Sequence, residues 1–195
     1  MNWKIIFFIA LISFGGYQHY SQRPVVHGNG VVASQTPLQS SISDDGFILN
    51  GYTITPLESF QIEARVLSTK HYTFDREADL APVDLALGWG RMSDESILKD
   101  IAISQSGRFY HWRVKDFPIP RKEIETHSAN MHMVPANQQI ENTLKSIRPG
   151  QVVSIQGDLI QANAADGWRW KSSLTRNDTG GGACELVYVT QVLLH

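Results

Sequence analysis

Phe60, Ile62, Ala64 and Val66 alternate with Gln61, Glu63, Arg65 and Leu67. This period of two constrains the chain more than any other feature, because it demands an extended strand with one face on a core. Further strand signals follow. Ile101, Ile103, Tyr110, Trp112 and Val114 fall at even spacing with Ser106-Gly107 between them, which predicts a hairpin with a bulge or turn there. Val153, Ile155 and Leu159 share one face of the stretch 151–160, in which Gly157 suits a sharp bend at a barrel corner. Asp166-Gly167 precedes Trp168-Arg169-Trp170, whose two indoles point the same way, and the stretch 186–194 is apolar on both faces, as a central strand is.

Two helices fit between these strands. Ser93 can cap a short one running to about Lys99, with Asp94 and Glu95 in the first turn, where negative charge is favoured. A second is expected from Ala136 to Ile147. There Ile140, Leu144 and Ile147 form a stripe, Pro135 stands at a permissive first turn, and Arg148-Pro149-Gly150 ends the run. The expected class is therefore mainly β with one or two short helices (α+β). The element order over roughly Phe60–Leu194 resembles an OB-like partly closed β-barrel, in which a helix lies between the third and fourth strands. A β-sandwich or an unrelated α+β fold are the alternatives.

Ahead of this domain, Lys4 is followed by the almost uncharged run from Ile5 to Tyr17, thirteen residues long. That is shorter than the roughly 20 residues of a comfortable bilayer span and matches a signal-type core. No clean pair of small residues stands at a cleavage spacing, so an uncleaved signal anchor over residues 1–20 is expected, with Trp3, Tyr17 and Tyr20 near the interfaces. This reading puts residues 3–20 in a bacterial inner membrane as a single pass, with the C-terminal domain in the periplasm or outside. Residues 21–55, interrupted by Pro24, Gly28, Gly30 and Pro37, read as a flexible tether, and residues 56–195 as the folded domain. The phrases Leu85-Ala-Leu-Gly-Trp-Gly90, His127-Ser-Ala-Asn-Met-His132 and Ser172-Ser-Leu-Thr-Arg176 also resemble a family of uncharacterised short bacterial envelope proteins. The resemblance implies a membrane-anchored protein and transfers no catalytic role.

Charge and cysteine count exclude some chemistry. Seventeen Lys plus Arg against nineteen Asp plus Glu leave a net charge of −2, which supplies no overall pull on a phosphate backbone and disfavours nucleic acid as a partner. A single cysteine excludes an internal disulfide and a four-cysteine zinc site. No Walker-type loop, Gly-x-Ser-x-Gly elbow, dinucleotide fingerprint or His-Glu-x-x-His helix is present.

Three sets of residues remain as candidates. Cys184 follows a Gly-rich approach and, with His127 or His132 as base and Asn130, Asp178 or Glu185 as orienting group, has the parts of a nucleophilic site. The competing reading is a small buried cysteine opening the last strand, since unpaired cysteines are among the most buried residues. His127, His132 and Cys184 also have the ligand types for zinc, but they fall in a loop-like segment where spacing carries no geometry, so no metal and no cofactor is expected. The aromatics Trp89, Tyr110, Trp112, Trp168 and Trp170, with Arg176 and its neighbouring cations, are the candidate binding set, against a reading as core. Trp89, between Gly88 and Gly90, is the one whose setting most resembles a buried anchor. The sequence thus points to an outward-facing, non-catalytic binding domain whose partner is an envelope protein or a glycan. The alternative is an exported cysteine-dependent enzyme, hydrolase or transpeptidase-like, using Cys184 with His127 or His132.

Overall fold

The alternating stretch at 60–66 lies within the longest strand of the protein, Tyr52–His71, in a computed structural model that describes residues 3, 6–12, 15, 23–178, 180 and 182–195. Its inward positions Phe60, Ile62, Ala64 and Val66 are all buried, as the period of two requires. Numbered in chain order, the strands are β1 (Leu38–Ser41), β2 (Phe47–Leu49), β3 (Tyr52–His71), β4 (Val83–Gly88) and β5 (Ile101–Ser106), followed by β6 (Phe109–Val114), β7 (Ser128–Pro135), β8 (Val152–Asn163), β9 (Arg169–Lys171) and β10 (Glu185–Leu194). Short helices at Glu95–Leu98, Arg121–Thr126 and Gln138–Ser146 complete a mainly β, α+β architecture.

β3 is long enough to serve two neighbours. Thr53–Arg65 pairs with β8, Arg65–His71 pairs with β4, and register shifts at 56/58 and 66/68 bend the strand between partners. From β4 the pairing passes antiparallel to β7, then in parallel to β10, then antiparallel to β8, which itself pairs with β3. Phe60, Leu85, Leu87, Met131, Met133, Ile155 and Val187 project into the main core, and Ile140 and Leu144 of the Gln138–Ser146 helix pack onto it with Ile147 just past the helix end. The cap of that helix is Asn137, whose side chain accepts from the Ile140 N–H at 3.0 Å. The short helix expected from Ser93 is capped by Asp94 instead. Ser93 is buried, and its hydroxyl is committed to the Gly90 carbonyl at 2.7 Å.

Gly157 is required for a different reason from a bend of its own. It faces Val189 on β10, beside a register shift, and a Cβ there would lie 1.8 Å from the Tyr188 carbonyl oxygen. The two strands come too close for any side chain.

The stretch expected as a flexible tether is tied to the domain from Arg23 onward. β1 and β2 pair with β3, Ala33 is fully buried, the Gly90 N–H donates to its carbonyl at 2.8 Å, and the Val25 N–H donates to the Pro149 carbonyl at 2.8 Å. These attachments are mostly backbone to backbone, so no periodic apolar pattern announces them. Much of the expected anchor, residues 1, 2, 4, 5, 13, 14 and 16–20, lies outside the described residues, while residues 6–12 are helical. Among the described residues no helix is long and apolar enough to cross a membrane.

Candidate functional site

The β5–β6 hairpin stands apart from the main sheet as a two-stranded ribbon. Ser106 pairs with Phe109, leaving Gly107 and Arg108 as a two-residue loop with φ of +55° and +67°. Both central residues with positive φ define the tight hairpin turn that matches strand twist. Glycine takes that conformation freely, whereas arginine takes it at a cost of about 1–2 kcal/mol.

Arg108 is held there from several sides. Its N–H donates to the Tyr72 hydroxyl at 3.2 Å and its carbonyl accepts from the Asn130 amide at 3.1 Å. Its guanidinium donates to the Ala81 carbonyl at 2.8 Å, pairs with Asp75 at 2.6 Å and Asp84 at 3.0 Å, and lies over the Tyr72 ring, 3.7 Å from the centroid. Asp84 on β4 is fully buried, and the sheet register sets it opposite His132 on β7, whose Nδ1 lies 2.8 Å from the same carboxylate oxygen. A buried carboxylate without partners is costly, and here two cross-strand neighbours and an arginine surround it. The Trp170 ring packs on His132 at 4.8 Å between centroids, and Trp168 on Trp170 at 6.1 Å. This network fastens the tip of the hairpin to the sheet.

With its tip held, the hairpin forms one wall of an open cavity of about 650 Å³. β6 lines it with Tyr110 and Trp112, and Phe117 and the Arg121–Thr126 helix form the next side. The start of β7 closes the remainder together with Thr175, Arg176, Asp178, Cys184 and Glu185. Trp112 and Phe117 meet edge to face at 6.1 Å and 74°. The Tyr110 hydroxyl is 2.9 Å from the Ser128 hydroxyl, and burial pushes the phenol up to about 12.

The floor carries the most unusual chemistry. Glu185, the first residue of β10, is 1% exposed and is ion-paired with Arg176. Burial pushes its carboxyl up to about 8, against the opposing pull of Arg176. Among the described residues, the Nε and Nη2 of Arg176 and the Oε2 of Glu185 are buried without a hydrogen-bond partner. Such atoms are rare in folded proteins and call for an explanation.

Of the residues expected to act, the structure brings Tyr110, Trp112, Arg176 and Cys184 to this cavity. It does not bring Trp89, His127, His132, Trp168 or Trp170 to it. Trp89 is 1% exposed in the main core. His127 caps the Arg121–Thr126 helix at its C-terminal end, with its ring near Trp89 and its Nδ1 3.1 Å from the Thr126 hydroxyl. His132 is 3% exposed and committed to Asp84. The Cys184 thiol points at the Arg108 carbonyl, 4.0 Å away, and burial together with the neighbouring carboxylates of Glu185 and Asp84 pushes it up to about 11. Among the described residues no group of three His, Cys, Asp or Glu side chains is placed to hold a metal ion, so His127, His132 and Cys184 do not converge. Phe117 and Arg121 were not among the candidates drawn from the sequence, and Glu185 entered only as an orienting group for Cys184, not as a buried charge. The one available signal was an acidic residue opening a strand that is otherwise apolar on both faces, which marks a charge about to be buried.

No family model, curated protein or solved structure matches the chain.

Proposed function

We propose that this protein is a bacterial membrane-anchored envelope protein whose outward-facing domain is an OB-like barrel that binds a ligand in the cavity beside β6 and performs no chemistry on it. The pairing cycle β3–β4–β7–β10–β8–β3, with the Gln138–Ser146 helix between its third and fourth members in chain order, supports the barrel. The apolar run behind Lys4 supports the anchor. One observation carries the binding reading: an open, aromatic-walled cavity ends on a buried Arg176–Glu185 pair whose remaining hydrogen-bonding atoms have no partner among the described residues. Ligand sites are concave and join apolar surface to convergent polar groups, and this cavity sets an aromatic wall against a charged floor.

The competing reading, a cysteine-dependent enzyme, draws on the presence of Cys184 in the same cavity. A nucleophilic thiol is one whose pKa is lowered by a neighbouring cation or base, whereas burial and carboxylates raise this one. The test is the rate of iodoacetamide alkylation of the full chain across pH, native and denatured. Slow native alkylation at neutral pH that accelerates only at strongly alkaline pH or on denaturation supports a binding domain. Rapid native alkylation with a midpoint below the ordinary thiol range overturns it in favour of the enzyme.

A further inference from the structure

We infer that the cavity takes a neutral saccharide, with a ring hydroxyl seated between Arg176 and the free carboxylate oxygen of Glu185 and the sugar face against the aromatic wall. This assignment rests on the binding reading above and deepens it.

The floor sets the first requirement. Arg176 offers N–H donors at Nε and Nη2, and Glu185 offers an oxygen at Oε2, with the pair already joined through Nη1 and Oε1. One ligand group has to accept from the arginine and donate to the glutamate, and a hydroxyl does both. A ligand carboxylate satisfies the arginine fork but meets a second negative charge wherever Glu185 is ionised, and an ammonium meets a like charge at Arg176 whatever the state of Glu185. With the Glu185 carboxyl pushed up by burial, its protonated form still finds an acceptor in the same hydroxyl.

Charge across the cavity sets the second. Arg113, Arg121 and Arg176 face Glu125, Asp178 and Glu185, so the formal charges balance when Glu185 is ionised and leave one positive charge when it is protonated. Arg121 is also paired with Glu125 at 2.8 Å, and Asp178 accepts from the Ser173 hydroxyl at 2.6 Å. A site with at most one net positive charge gives little advantage to an ionic ligand, and a nucleic-acid strand would bring one phosphate charge with each nucleotide. The wall sets the third. Tyr110, Trp112 and Phe117 present ring surfaces to the same space, and the C–H faces of a pyranose are apolar while its rim is polar. A volume of about 650 Å³ lies in the range of small-ligand pockets and has room for more than one sugar ring.

The experiment is a tryptophan-fluorescence and calorimetric titration of the full chain in detergent with chitotriose, cellotriose and maltotriose, and in parallel with glutarate and trialanine. The expected result is saturable binding of at least one trisaccharide with neither glutarate nor trialanine competing. Arg176→Lys should weaken that binding roughly tenfold or more, because it removes the fork while keeping the charge. Arg176 is mostly buried and its variant can fail to fold, so Phe117→Ala provides the second arm. That ring is 53% exposed, its loss should leave the circular dichroism and melting unchanged, and it should weaken the trisaccharide several-fold. No saturable response to any trisaccharide up to about 10 mM overturns the assignment. A response to glutarate or trialanine alone also overturns it while leaving the binding domain standing, whereas a fast-reacting Cys184 removes the binding domain itself.

Discussion

The Nη1 of Arg108, in the turn of the β5–β6 hairpin, lies 3.0 Å from Oδ1 of Asp84, a fully buried carboxylate on β4. The hairpin belongs to its own two-stranded sheet, and this pair with Asp75 and Ala81 ties its tip to the main one. The wall of the cavity therefore depends on a contact made at the far end of β6.

Replacing Arg108 by alanine should lower stability by about 3–5 kcal/mol, because it strands the Asp84 charge in the interior. Arg108→Gly removes the strain of a positive φ, worth about 1–2 kcal/mol, but loses the same pairing. Both variants should therefore unfold at lower urea concentration than the wild type, with glycine the milder of the two. An Arg108→Gly protein at least as stable as the wild type would show that the network is not what holds the turn.

Glu185 predicts a pH dependence with a definite sign. Its carboxyl stands at about 8 in the folded protein against 4.5 ordinarily, so between those values the folded state holds more proton than the unfolded state. Stability contributed by this group is complete below about 4.5 and declines as pH rises toward about 8, by an amount on the order of a few kcal/mol at most. Glu185→Gln should flatten that decline. Melting curves of the two proteins from pH 5 to pH 8.5 make the comparison, and parallel curves would assign the loss to other groups.

Gly157 tolerates no side chain, since a Cβ would meet the Tyr188 carbonyl oxygen at 1.8 Å. Gly157→Ala should push β8 and β10 apart and destabilise by roughly 1–3 kcal/mol. Hydrogen exchange should show the loss of protection concentrated in the 187–194 amides of β10, which pair with β8.

Two aromatic truncations should separate core from site. Trp89 is 1% exposed, and Trp89→Ala should cost about 3–5 kcal/mol through lost packing. Phe117 is 53% exposed, and Phe117→Ala should change stability by less than about 1 kcal/mol. Denaturation of the two variants side by side decides it, and a Trp89→Ala protein of near wild-type stability would remove that indole from the core.

Local pattern was legible where a residue's role is set by its own neighbours. Phe60 to Val66 read as a strand because alternation assigns faces without reference to any partner. Ile140, Leu144 and Ile147 read as a helix stripe for the same reason, although the helix runs only from Gln138 to Ser146 and Ile147 packs from just beyond its end. Legibility failed at 23–55, where β1 and β2 gain their order from backbone bonds to β3 that leave no periodic trace. It failed again among the tryptophans, because alternation says that Trp112 and Trp170 each point to one side of a strand and nothing about what lies on that side.

The amino-acid sequence by itself determined the strands at 60–66, 101–114, 151–160 and 186–194, the main helix and the place of the hairpin turn, but not β4 or β7, whose segments read as loops. Tertiary structure alone decided that Tyr110, Trp112, Arg176 and Cys184 share a cavity while Trp168 and Trp170 lie away from it and His132 is committed to Asp84. The reason is geometric. Periodicity fixes which way a side chain faces within its own strand, whereas the register between β4, β7, β10 and β8 fixes what it meets, and that register is a property of the whole sheet.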